Sequence, residues 1–188
     1  MSKDEIKGLD ELLKALGSLP ERFEKSIMKG AIRAGSNVIA AEAKALVPVA
    51  PPNEENARLY GGRRGLLKAS IRVMSPDYLP NGYVKGGVRA GGDVKGTKRK
   101  AAGDAYYAHF VEYGTAPHKI MAAKGKRLAI GGAPVGTSVM HPGAKAKPFM
   151  RPALDAKREA AMRAVAEYIR NRLATKHGLD VPAPEDRE

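Results

Sequence analysis

Two long stretches of helical periodicity, one toward each end of the chain, enclose a middle in which that periodicity disappears. From Phe23 the residues Ile27, Ala31, Ala34, Val38, Ala41 and Ala45 recur every three or four positions, the spacing that puts side chains on one helix face. Leu154, Ala161, Val165, Ile169 and Leu173 do the same near the other end. Ser18 is the expected N-cap of the first long helix, with Pro20, Glu21 and Glu24 in its first turn and Pro48 ending it. Gly30, Gly35 and the alanines along its stripe admit close approach of another backbone, and the stripe is read as core packing. A shorter helix is predicted over Gly8–Leu16, carried by Leu9, Leu12, Leu13 and Leu16 and stopped by Gly17. The final helix is predicted from about Pro152 to Lys176, with Gly178 as its stop.

In the middle the period changes to two. Leu67, Ala69, Ile71 and Val73 alternate with polar or flexible residues, so Leu66–Ser75 reads as a half-buried strand. Tyr83–Arg89 is expected to pair with it as a hairpin across Pro80-Asn81-Gly82. Tyr106–Tyr113 reads as an aromatic-rich strand or short helix, and short strands are expected at Arg127–Ile130 and Thr137–Met140. The expectation is an α+β fold: N-terminal helices and a long C-terminal helix packed on a small, mostly antiparallel sheet, with long basic loops. A length of 188 residues fits one domain, read as 1–176 with extended loops at about 50–65, 90–104 and 116–146. Residues 177–188 are expected to be a disordered tail.

Charge is segregated along the same lines. Residues 58–151 hold 18 Lys and Arg against 4 Asp and Glu; residues 1–57 hold 8 against 9, and residues 152–188 hold 7 against 7. The three parts are thus +14, −1 and 0, which accounts for the net charge of +13. A field concentrated in this way points to polyanions or acidic partner surfaces. Lys95, Lys98, Arg99, Lys100, Lys124, Lys126 and Arg127 are the candidate contacts. With no aromatic residue beside the Lys98 triplet, base stacking is not expected, and phosphate contact would be non-specific.

Chemistry finds little support. There is no cysteine, which excludes disulfides, thiolate metal sites and Cys nucleophiles. His109, His118, His141 and His177 lack metal-ligand spacing, no GxSxG surrounds a serine, and the Gly-rich run at 130–138 lacks the order of a phosphate-binding loop. No catalytic residue, cofactor or metal is expected. The start lacks a secretory pattern and no apolar run approaches the roughly 18 residues of a membrane span. A soluble protein made in cytosol-like conditions is expected.

Two stretches carry a resemblance: Tyr107-Ala108-His109-Phe110-Val111-Glu112-Tyr113-Gly114-Thr115 and Lys147-Pro148-Phe149-Met150-Arg151-Pro152-Ala153-Leu154. With Gly8-Leu9-Asp10-Glu11-Leu12, Ala43-Lys44, Val47-Pro48 and Gly65-Leu66-Leu67-Lys68-Ala69-Ser70-Ile71 in order, the chain resembles the head-tail joining or tail-completion (neck) proteins of long-tailed double-stranded DNA phages and prophages. The resemblance implies a virion structural protein rather than an enzyme. It implies a homo-oligomeric ring at the head-tail junction or tail top, assembled in the host cytoplasm and contacting neighbouring neck and tail proteins, with double-stranded DNA passing through. Tyr107, Phe110, Glu112, Tyr113, Gly114, Thr115, Pro148, Phe149, Arg151 and Pro152 are the candidate motif and assembly residues. Read physically, Gly114 frees a sharp turn and Phe149 anchors the chain before the final helix. The competing expectation is a basic, non-specific DNA-binding protein acting outside any particle.

Overall fold

The computed structural model describes residues 9–49, 65–79, 83–92, 105–123, 126–130, 133–179 and 181. Two long helices form its body: α2, Glu21–Leu46, and α5, Met150–His177. They run antiparallel. Ile27 and Ala31 of α2 share a cluster with Ala166, Ile169 and Leu173 of α5, whereas Ala40 and Ala43 share another with Phe149 and Ala153. Midway the helices approach closely at Gly35, where an added Cβ would lie 2.7 Å from Val165 Cγ2 and 2.9 Å from the Ala161 carbonyl oxygen. The small residues of α2 therefore act in packing. A salt bridge at 3.5 Å joins Lys157 to Glu42 across the pair.

The short helix α1, Leu9–Gly17, closes the far end with Leu12 and Leu16 fully buried. Ser18 does not cap α2. Its hydroxyl instead donates to the Ala15 carbonyl at 2.7 Å, and α2 starts after Pro20 with no side-chain cap. The buried face of α2 is also rotated from the predicted stripe: Ser36, Ala40 and Ala43 are buried, while Ala41 and Ala45 are exposed. On α5 the same happens at one point. Ala153 is buried and Leu154 is 47% exposed. Past α5, Leu179 and Val181 pack on the α1 cluster, beyond the residue-176 end expected of the domain.

The first half of the expected strand over Leu66–Ser75 is a helix. Leu66–Ser70 is the single-turn α3, Ile71 leaves it in an extended conformation, and Arg72–Val73 forms the short strand β1. Leu67 and Ser70, three apart, both point inward, a pairing that helix geometry satisfies and strand alternation does not. The antiparallel hairpin itself is present but interrupted. β1 pairs with β4, Val88–Arg89, while β2, Asp77–Tyr78, pairs with β3, Val84–Lys85. The expected turn at Pro80-Asn81-Gly82 lies outside the described residues, as do the 50–64 connection and residues 93–104. The hairpin lies on α2, close enough that a Cβ on Gly86 would strike Ile32.

Ala108–Tyr113 is a short helix, α4. The segment expected as a long loop with short strands then forms a two-stranded ribbon. β5, His118–Met121, pairs with β8, Ser138–His141, and farther out β6, Leu128–Ile130, pairs with β7, Ala133–Gly136. No helix among the described residues is long and apolar enough to cross a membrane. The architecture is mixed α+β: helices with small antiparallel sheets.

Candidate assembly site

The two motif stretches, separated by more than thirty residues of ribbon, meet as one structure. At its centre is Glu112 on α4, only 9% exposed. One carboxylate oxygen, Oε2, accepts the backbone N–H groups of Phe149 at 2.8 Å and Met150 at 3.0 Å; the other, Oε1, accepts that of Arg151 at 3.1 Å. These donors lie at the start of α5, whose own first residues supply no side-chain cap. A helix N-terminus leaves such N–H groups without intrahelical partners and carries partial positive charge. Glu112 satisfies both needs from a different element. Burial by itself would raise its pKa, but the three backbone donors, aided by the Arg151 guanidinium, outweigh it and hold the carboxyl below its ordinary range.

Beside this cap the chain is tied twice more. The Val111 carbonyl accepts the Lys147 N–H at 2.8 Å, and Thr115 and Ala144 form an antiparallel bridge with N–H to oxygen distances of 2.9 and 3.2 Å. The Thr115 hydroxyl also accepts the Ala144 N–H at 2.9 Å. Gly114 makes the turn possible. Its φ is +72°, and a Cβ there would lie 2.6 Å from the Ala144 carbonyl oxygen. Phe149 is fully buried among Ala43, Val47, Leu67 and Ile71. Together these contacts clamp the base of the β5–β8 ribbon onto the α2–α5 pair.

Of the predicted residues, Glu112, Gly114, Thr115 and Phe149 thus converge in the clamp. Arg151 contributes its backbone N–H, and Pro152 sits half-buried in the first turn of α5. Tyr107 is half-buried, and burial pushes its hydroxyl pKa up. Phe110 and Tyr113 face outward, 43% and 73% exposed, and Pro148 is exposed. Lys126 and Arg127 are exposed at the approach to β6. Lys95, Lys98, Arg99, Lys100 and Lys124 lie outside the described residues. The N–H of Ala105 donates to the Gly92 carbonyl at 3.4 Å, drawing together the two ends of the expected basic arm beside the cross-strand pair Arg72 and Arg89.

Sequence reasoning missed the exposed residues Tyr106, Met121 and Met140 and the buried Ser70. The Ser70 hydroxyl donates to the Leu67 carbonyl at 2.7 Å and accepts the Gly91 N–H at 2.9 Å, joining α3 to the end of the hairpin. A period-four reading of Tyr106 and Phe110 would have marked the aromatic face. His109 and Glu112 do share a helix, but the Glu112 carboxylate is occupied by backbone, and among the described residues no group of His, Asp and Glu is arranged to hold a metal.

The fold and clamp define a small α+β subunit that presents a basic β-ribbon from a two-helix body. The family whose profile matches the chain is described as "Bacteriophage HK97-gp10, putative tail-component", over residues 10–114. That is more than half of the 188 residues, and the chain belongs to this HK97-gp10-like family of phage tail components. The match ends at Gly114, so the ribbon and the 147–154 stretch lie beyond it. No curated protein and no solved structure matches the chain.

Proposed function

We propose that the protein is a structural subunit of a long-tailed phage particle, that its copies form a ring at the head-tail junction, and that the genome passes through that ring. Membership in a phage tail-component family carries this reading. The ribbon supports it physically: residues 115–149 contain six Lys and Arg and no Asp or Glu. Such a surface attracts the DNA backbone without reading its sequence. A ring also needs head-to-tail contacts between unlike surfaces that close under rotation. The role is structural, with tail completion or head-tail joining as its outcome, and calls for no catalytic group. Motif residues such as Glu112 and Phe149 act by holding the ribbon, not by touching a substrate.

Purified particles of the encoding phage or prophage test this. The chain is expected there in a fixed, small copy number, and particles lacking it should accumulate as unjoined heads and tails. The alternative, a DNA-binding protein outside any particle, predicts a chain missing from particles, monomeric alone, and bound to duplex DNA at moderate salt.

A further inference from the structure

We propose that the surface running from α4 onto the outer face of the ribbon docks a second, chemically different particle protein, one presenting apolar pockets rimmed by carboxylates. This rests on the reading of the chain as a particle component. Phe110 and Tyr113 stand three positions apart on α4, the spacing of one helix face, with Tyr106 in the turn just before it; they are 43%, 73% and 66% exposed. Gly114 and Thr115 lead from them directly toward β5. There the pairing register sets Lys119 opposite Met140, and alternation puts Met121 on that same side. Met121 and Met140 are 71% and 65% exposed. Exposed aromatic rings are the usual anchors of protein interfaces, and methionine supplies adaptable apolar contact.

Charge selects the occupant. Residues 105–151 hold seven Lys and Arg and a single acid, Glu112, whose carboxylate is committed to three backbone N–H groups. A second copy is a poor complement, because its helical flanks sum to −1 and 0. Ribbon against ribbon would also oppose like charges. Duplex DNA answers the cations but leaves the rings and methionines wet, since phosphate contact uses only charge and hydrogen bonds. An acidic protein surface with apolar pockets answers both.

Benzoylphenylalanine placed at position 113 or 121 of the full chain, followed by irradiation of assembled particles, identifies the occupant. The expected product is an adduct with a different particle protein, mapping to a segment rich in Asp and Glu. Its yield should fall about tenfold when Lys119→Glu is added, because reversed charges at an interface repel. The same group at position 37, on the exposed side of α2, should give no such adduct. Adducts to a second copy, adducts to DNA, or none at all overturn the inference while leaving the particle reading intact, so long as the chain is present in the particle. Absence of the chain from particles overturns both. Tyr113→Ala should melt with the parent yet lose the adduct formed from position 121.

Discussion

Replacing Glu112 tests the clamp most directly. In Glu112→Gln the side chain keeps its shape but loses its charge, and one of its two terminal atoms becomes a donor. That amide nitrogen must then face either the Arg151 N–H or the pair from Phe149 and Met150, all now 2.8–3.1 Å from a carboxylate oxygen. Hydrogen bonds to a charged group contribute about 1.5–3 kcal/mol each, and a carboxylate at a helix N-terminus adds up to about 2 kcal/mol in partly buried geometry. These contributions overlap, and one or two bonds survive, so a loss of about 2–3 kcal/mol is expected. For a chain of this size that lowers Tm by roughly 4–12 °C, read by circular dichroism at neutral pH. Acidity supplies a second readout. Because the folded-state pKa of Glu112 is depressed, its stabilisation is fully present above the unfolded value of about 4.3 and is lost as pH falls through the lower folded value. The gap between parent and Glu112→Gln should therefore narrow on acidification below about pH 4. A gap under about 0.5 kcal/mol at neutral pH, the range of ordinary surface changes, or one that does not shrink in acid, would refute the capping argument.

Phe149→Ala should destabilise by about 3–5 kcal/mol in urea melts, given complete burial of the ring, and its effect should be non-additive with Glu112→Ala because both hold the start of α5. Ser70→Ala leaves the buried Gly91 N–H without its acceptor, and a cost of about 1–3 kcal/mol is expected in the same assay. Gly114→Ala combines a positive φ with a Cβ driven toward the Ala144 carbonyl, so a loss above about 1 kcal/mol should accompany faster hydrogen exchange at Ala144 and Lys147. Gly35→Val should separate α2 from α5 and broaden the unfolding transition, whereas a sharp transition at the parent's Tm would show that the contact yields easily.

The helices were legible because their periodicity is local. Leu12, Leu16, Ile27, Ile169 and Leu173 repeat at intervals that only a helix can bury together. Leu66–Ser70 was not, since five residues with Leu67 and Ala69 on one parity and Leu67 and Ser70 three apart satisfy both periods; burial of Ser70 decided for the helix. Likewise the rotation of the α2 face to Ser36, Ala40 and Ala43 follows from where α5 and the clamp lie against it, which no stripe drawn on one helix reveals. Phe149 could be read as an anchor from its place before a helix start, but the outward turn of Phe110 and Tyr113 depends on which side of α4 Glu112 must occupy.

By itself the sequence determined the long helices, the antiparallel hairpin, the neutral flanks around a basic middle and the absence of thiol chemistry, because periodicity, turn residues and charge are properties of neighbouring positions. Only the tertiary structure decided that Glu112 caps a helix 37 residues farther on, that Thr115 and Ala144 close the base of a ribbon, and that the aromatic face of α4 and the methionines beyond it stay exposed. Those facts depend on pairings between distant segments. Orphan N–H groups at the start of α5 have to find an acceptor, and only the folded chain shows which carboxylate lies within reach.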